Sequence, residues 1–200
     1  MILSKKYAIL FIAIQKTGTT SIEKALQEYL YPHVASSTVK IKKRPNFKYK
    51  HNSAEILAGC PEIKSIWHEL FKFSFVRNPW DLCVSHYFYR QREGHEEAIY
   101  TPFKEWLISH KKREPIMWQA PTQYDCLTVN SKLAVDFIGR FENLQADFNT
   151  ICKHIQIPSI QLDIHNSTKH EHYSKYYDQE TKEYVFNLFK KDIDYFNYEF

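Results

Sequence analysis

Two short segments of this 200-residue chain hold residue types suited to binding an anion. The first is Gln15-Lys16-Thr17-Gly18-Thr19-Thr20-Ser21, directly after the apolar run Tyr7 to Ile14 (YAILFIAI). A helix that opens after such a run points unpaired N–H groups and the positive end of its dipole at the loop. Gly18 lets the backbone approach a ligand closely, Lys16 adds a point charge, and the threonine hydroxyls add donors. Thr20 and Glu23 read as a capping box that starts the helix at Thr20. A plain strand–turn–helix with a capping threonine would use the same residues. The segment is not a Walker A loop, G-x-x-x-x-G-K-[ST], because Lys16 comes before the glycine; a purine nucleoside triphosphatase is therefore disfavoured.

The second segment is Phe75-Val76-Arg77-Asn78-Pro79-Trp80-Asp81, followed by Ser85 and Tyr87. The alternation of Phe71, Phe73 and Phe75 predicts a strand over 71–76, which puts Arg77 at its carboxyl end. Ligands of open α/β sheets bind at that edge. Asn78 as a cap and Pro79 in the first turn predict a helix running to about Arg92. Ser85 lies on that helix, so an extended Arg77 and Ser85 could share one phosphate, for which the guanidinium fork is well shaped. A helix cap beside a surface arginine would read the same way.

Together the two segments resemble the sulfotransferases that use 3′-phosphoadenosine 5′-phosphosulfate (PAPS), in particular the carbohydrate-type family 2 group. The first loop of that group reads P-x-K-x-G-T-T/S, against IQKTGTTS at 14–21 here. Its second motif resembles F-x-F-V-R-N-P-W-D-R-x-V-S-x-Y, against FSFVRNPWDLCVSHY at 73–87. Lys50-His51-Asn52-Ser53-Ala54 is similar to a K-H-x-[ST]-A segment. DFIGRFENL (136–144), Asp147-Phe148 and the tail 166–200 are similar to later family patterns, and 93–125 is the weakest stretch. Leu82 stands where the family often has Arg, and Ile14 where the loop often has Pro; neither residue carries a direct role.

The resemblance implies a division of labour. The loop Gln15, Lys16, Thr17, Gly18, Thr19, Thr20 and Ser21 would hold the 5′-phosphosulfate. Lys16 would neutralise charge on the bridging oxygen as the sulfuryl group leaves. Arg77 and Ser85 would bind the 3′-phosphate. Transfer would be in line, with positioning as the protein's main task. No metal is expected, and the ten histidines show neither H-E-x-x-H nor Cys/His zinc spacing. An acceptor hydroxyl needs a general base. His51 is the candidate, from the resemblance and its nearness to a basic segment in which Lys50 could depress its pKa; His68 and Glu69 are the alternatives.

A carbohydrate hydroxyl leads as acceptor by resemblance, with a small alcohol, a phenol or a protein tyrosine open. Lys40, Lys42, Lys43, Arg44, Lys48 and Lys50 could receive an acidic acceptor such as an anionic glycan, though a solvated basic loop is the plainer reading. Tyr100, Trp106, Trp118 and Tyr124 could stack on sugar rings or be core aromatics. The segment with Asn166, Ser167, Thr168, Lys169 and His170 could close over the nucleotide. Three other functions compete: a catalytically inactive PAPS- or glycan-binding module, a nucleotide kinase of related fold, and a nucleic-acid binder. The kinase lacks its Walker A loop, and the nucleic-acid motifs are absent.

The elements that must carry these residues follow from periodicity. Strands are expected over 7–14, 71–76 and 135–141, each followed by a turn and a helix. Short helices are expected over 54–58 and 61–70. Leu144, Phe148, Ile151 and Ile155 line one helical face, and a last helix over 179–191 begins at Asp178. This pattern implies an α/β fold with a central parallel sheet, here a single three-layer domain over 1–200, and the resemblance makes it P-loop NTPase-like. Fourteen Tyr and fourteen Phe allow a sizeable core. The net charge of +4 favours an anionic ligand only weakly. Cys60, Cys83, Cys126 and Cys152 form no C-x-x-C pair, so reduced thiols in a cytoplasm are expected. The apolar run at 7–14 is far short of the roughly 20 residues of a bilayer span and lacks a cleavage site, so a soluble, unanchored protein is expected.

Overall fold

The structure is a computed structural model, and it describes residues 1–30, 51–110, 120–163, 165, 168 and 170–200. The chain opens with a strand β1 (Ile2–Ser4), a turn, and β2 (Ile9–Phe11), paired antiparallel with Ser4 opposite Ile9. Tyr7 and Ala8, expected in the strand, belong to the turn instead, where Ala8 adopts φ 48°. Three-residue β1 is too short to show periodicity, which is why the pattern did not reveal it.

The loop Gln15–Gly18 leads into α1 (Thr19–Leu30), and the Ile22 N–H donates to the Gly18 carbonyl at 3.2 Å. Gly18 therefore takes the cap position, two residues earlier than the Thr20 cap read from the sequence. Two short helices, α2 (Ala54–Ala58) and α3 (Pro61–Lys64), and a 3-10 turn (Trp67–Glu69) precede β3 (Phe71–Val76). The next helix, α4 (Pro79–Arg92), starts as the sequence predicts: Asn78 Oδ1 accepts from the N–H groups of Trp80 and Asp81. Among the described residues of the stretch least legible in the sequence lie α5 (Glu96–Ile99), α6 (Phe103–His110) and α7 (Gln123–Cys126).

A small hairpin then joins β4 (Thr128–Val129) to β5 (Lys132–Leu133). Its two loop residues, Asn130 and Ser131, both have positive φ, the conformation of a two-residue hairpin. β6 (Phe137–Arg140) and α8 (Leu144–His154) follow. The final helix expected over 179–191 is two helices, α9 (Gln179–Leu188) and α10 (Lys190–Phe196), broken at Phe189. Asp178 caps α9 in a reciprocal capping box with Thr181.

The main sheet runs β1-β2-β3-β6, with β2, β3 and β6 parallel and β1 antiparallel at the edge. The mixed α/β class and mostly parallel sheet read from the sequence are thus present. Alternate residues of β2 face opposite sides. Ile9, Phe11 and Ala13 join Phe73 and Phe75 against Ile22 and Leu26 of α1 and Phe148 and Ile151 of α8. Leu10, Ile12 and Ile14 join the larger cluster with Trp80 and Val84 of α4, Trp106 of α6 and Val185 of α9. Helices cover both faces, which explains the unbroken apolar run of β2. Among the described residues no helix is long and apolar enough to cross a membrane.

One consequence of this parallel order positions the site. β2 and β3 are neighbours running the same way, so the loops that leave their carboxyl ends open on the same sheet edge. Packing beside them is tight. Phe11 and Phe73 stack with centroids 5.1 Å apart, Phe75 meets Phe11 edge-on, and a Cβ at Gly139 would lie 2.4 Å from Phe75 Cε1. Phe75 is fully buried, in an interior packed as densely as protein cores generally are. Gly139→Ala should therefore cost about 1–3 kcal/mol of unfolding free energy in a urea titration, as overpacked cores do. An unchanged midpoint would show that the β3–β6 contact is looser than described.

Candidate functional site

Both sequence motifs border one cavity of about 810 Å³ at the carboxyl edge of the sheet. Gln15, Lys16, Gly18, Thr19, Thr20 and Ser21 contribute one wall; Arg77, Ser85, Tyr89, Arg92 and Glu93 contribute another. His51 and the segment carrying Gln161, Leu162, Asp163, His165, Thr168 and His170 close the remaining sides with Phe141, Leu144 and Gln145. Such a volume falls in the range of roughly 300–1,000 Å³ that holds small ligands.

The first loop is shaped by its backbone. Lys16 and Gly18 both have positive φ, 63° and 78°. Gly18 tolerates this without cost, whereas Lys16 does so only because something holds it. The holder is Arg77, whose Nη1 donates to the Lys16 carbonyl at 2.9 Å. Thr17 Oγ1 donates to the Ile14 carbonyl at 2.9 Å and is fully buried, so this side chain faces the interior rather than the cavity. The Gly18 position also fits closely against α8: a Cβ there would lie 2.7 Å from Leu144 Cδ2.

Arg77 is almost fully buried and has defined partners on each side. Its Nε donates to Asp81 Oδ2 at 2.8 Å, and its guanidinium lies 3.9 Å from the centre of the Phe141 ring. These contacts leave Nη2 hydrogens to meet an anion in the cavity. Lys16 Nζ lies 4.3 Å from the centre of the Tyr89 ring. Burial first, and then the charges of Arg77 and Arg92, lower the Lys16 pKa to about 8. A lysine so placed gains its proton more readily when an anion enters.

His51 enters the cavity from the segment before α2. Its Nδ1 lies 2.9 Å from the Ala13 carbonyl, which can only accept, so Nδ1 carries a proton, and in the neutral ring the lone pair is then on Nε2. That is the tautomer a proton acceptor needs.

The family model described as "Sulfotransferase family" covers residues 1–199. The chain belongs to the sulfotransferase family. It is also 32% identical over 113 residues to an uncharacterized protein of Archaeoglobus fulgidus, a match spanning 56% of this chain and 89% of that protein.

Within this sulfotransferase-family chain, the two motifs line the same cavity. The alternative bases do not join them. His68 and Glu69 sit on the 3-10 turn that enters β3, at the opposite end of the strand from Arg77. A six-residue strand separates them by roughly 16–20 Å, and neither lines the cavity. Trp106 is buried core, packed on Tyr87 and Phe103, and Tyr100 is exposed outside the cavity; a sugar-stacking cluster of these aromatics is not formed. Tyr124 packs on Tyr195 instead. Trp118 and the basic residues Lys40, Lys42, Lys43, Arg44, Lys48 and Lys50 lie outside the described residues, as do Asn166, Ser167 and Lys169. Of the closing segment, Thr168 and His170 do line the cavity.

Sequence reasoning missed Tyr89, Arg92 and Glu93. The signal was present in helical spacing: Tyr89 and Arg92 stand one and two turns beyond Ser85 on α4, so they share its face. Among the described residues no group of three His, Cys, Asp or Glu could hold a metal ion.

The Lys16 amine should titrate near pH 8, read from the Cε signal of labelled lysine by NMR, and Arg92→Ala should raise it. Because the unfolded chain holds the Lys16 proton up to a higher pH, this group's contribution to stability should rise between pH 8 and 10.5. Titration near the ordinary lysine value would mean the amine is solvated.

Proposed function

We propose that the protein transfers a sulfuryl group from PAPS to an acceptor hydroxyl, and that its fold is P-loop-like in the way it presents the donor to a helix N-terminus. The observation carrying this reading is that Lys16, His51, Arg77 and Ser85, from three separate segments of the chain, line one cavity. Family membership supports sulfuryl transfer, and the donor follows from the chemistry of the walls. A doubly phosphorylated nucleotide needs two anion sites, and the cavity offers two: the start of α1 with Lys16, and Arg77 with Ser85.

In this reading the chain's own groups do the following. The N–H groups of Gly18 to Ser21, with the Thr19, Thr20 and Ser21 side chains, hold the phosphosulfate end; Gln15 borders it, and Thr17 contributes its backbone. Lys16 supplies positive charge where the bridging oxygen becomes an anion. Arg77 and Ser85 hold the 3′-phosphate. His51, through Nε2, takes the proton of the acceptor hydroxyl. The donor supplies an activated S–O bond, and the protein supplies alignment. Carbohydrate hydroxyls are the acceptor class favoured by the resemblance. The domain is taken to be one unit over 1–200, working without a metal and in a cytoplasm.

Calorimetric titration with adenosine 3′,5′-bisphosphate tests the nucleotide class, with adenosine 5′-monophosphate as control. The bisphosphate should bind more tightly, and Ser85→Ala and Arg77→Ala should each weaken it, Arg77→Ala by roughly 10–100-fold as expected for a buried charge-assisted hydrogen bond. Near pH 8.5 binding should take up protons in the wild type and not in Lys16→Met. Equal affinity for both nucleotides would end the PAPS reading. His51→Ala should keep bisphosphate binding and lose about 10²–10⁴-fold in turnover with labelled PAPS and a competent acceptor; full turnover would remove His51 as the base.

A further inference from the structure

Arg77 marks the point where β3 ends, and its backbone has left the ladder. The last β3–β6 pair is Val76 with Arg140. A buried peptide N–H and C=O at that point need new partners. Gln123 supplies both. Its Oε1 accepts from the Arg77 N–H at 2.8 Å, and its Nε2 donates to the Arg77 carbonyl at 2.8 Å. The amide orientation is unambiguous, since an N–H can only donate and a carbonyl can only accept. One side chain thus replaces a neighbouring strand for a single residue.

Gln123 is itself held. Its Nε2 also donates to Asp192 Oδ2 at 3.2 Å, and the same carboxylate accepts from the backbone N–H groups of Gln123 at 2.9 Å and Tyr124 at 2.8 Å. Both Gln123 and Asp192 are fully buried. Neither lines the cavity. Burying an ionisable carboxylate is costly, and burial raises the Asp192 pKa to about 6. An apolar residue could fill α10 at this position without that cost. Three donors converging on the carboxylate account for its presence: two belong to Gln123, which fastens Arg77, and the third is the N–H of its neighbour Tyr124.

We propose that Gln123 and Asp192 are positioning residues that set the 3′-phosphate selectivity of the site by aiming Arg77. The proposal rests on the nucleotide reading above, and concerns residues outside the family motifs quoted for that site. The chain of contacts is continuous: the Asp192 carboxylate orients the Gln123 amide, the amide fixes the Arg77 backbone, and the Arg77 side chain spans Asp81 and the Lys16 carbonyl. A guanidinium fork binds a phosphate well only when its plane is correctly presented.

The test compares affinities for adenosine 3′,5′-bisphosphate and adenosine 5′-monophosphate in wild type, Gln123→Met and Asp192→Asn. Gln123→Met keeps the volume and removes both amide contacts. The bisphosphate-to-monophosphate affinity ratio should fall about tenfold in Gln123→Met and in the same direction, by less, in Asp192→Asn, which keeps one acceptor oxygen. In an Arg77→Ala background Gln123→Met should change the ratio no further, since the two residues act through one contact. A ratio that stays at the wild-type value while stability falls would show that the network is only structural and overturn the proposal. Should Gln123→Met fail to fold, Asp192→Asn carries the same comparison. A wild type that does not distinguish the nucleotides overturns the nucleotide reading itself, and this proposal with it.

Discussion

The junction Arg77-Asn78 is where the rest of the molecule is tied together. A strand ends there and a helix begins, so the peptide groups lose their ladder before they gain helical partners. Distant segments fill the gap. Gln123 takes both polar groups of Arg77, Glu142 Oε1 accepts from the Asn78 N–H at 2.6 Å, and the Asn78 side-chain amide donates to the Glu199 carbonyl. Asn78 Oδ1 meanwhile caps α4. The Tyr198 hydroxyl adds a contact to Glu142, so the C-terminal residues are folded back onto the same point. Leaving any of these buried groups unpaired costs more than a made hydrogen bond returns, so the arrangement holds as a set.

That rigidity is passed to the first loop by the Arg77 side chain. Its bond to the Lys16 carbonyl holds Lys16 in a left-handed conformation that a lysine would otherwise avoid. The loops after β2 and β3 therefore form one device rather than two neighbouring ones. Lys16, Arg77 and Arg92 approach one another, while Asp81 answers only the Arg77 Nε edge and Glu93 pairs with Arg92 at 3.0 Å. The depressed Lys16 pKa reflects burial first and then the charges of Arg77 and Arg92.

The helices behind the site explain the aromatic richness of the chain. Tyr87, Phe88, Phe103, Trp106, Tyr176 and Tyr177 interlock edge-to-face between α4, α6 and the 3-10 turn at Tyr173–Tyr176. α4 thus presents Ser85, Tyr89 and Arg92 to the cavity from a helix whose other faces are buried in rings. These aromatics serve position rather than ligand stacking, and Trp106 is the clearest case.

The sequence alone determined the elements whose patterns are local. A two-residue periodicity set β3 to its observed bounds, Asn78-Pro79 set the start of α4, and the uninterrupted apolar run announced a strand covered on both faces. The anion-binding role proposed for the loop at 15–21 was equally local, because it depends on a helix N-terminus, a glycine and a lysine. Only the tertiary structure decided the rest. Thr17 turns inward because its hydroxyl reaches the Ile14 carbonyl, and Gly18 rather than Thr20 takes the cap. His51 separates from His68 and Glu69 as a base candidate because β3 carries its two ends to opposite edges of the sheet. Gln123 and Asp192 carried no readable signal, since a buried amide and carboxylate gain meaning only from partners 46 and 69 residues away along the chain. Local pattern encodes where a strand or helix begins; which polar groups meet around one cavity is set by the parallel register that brings their loops to one edge.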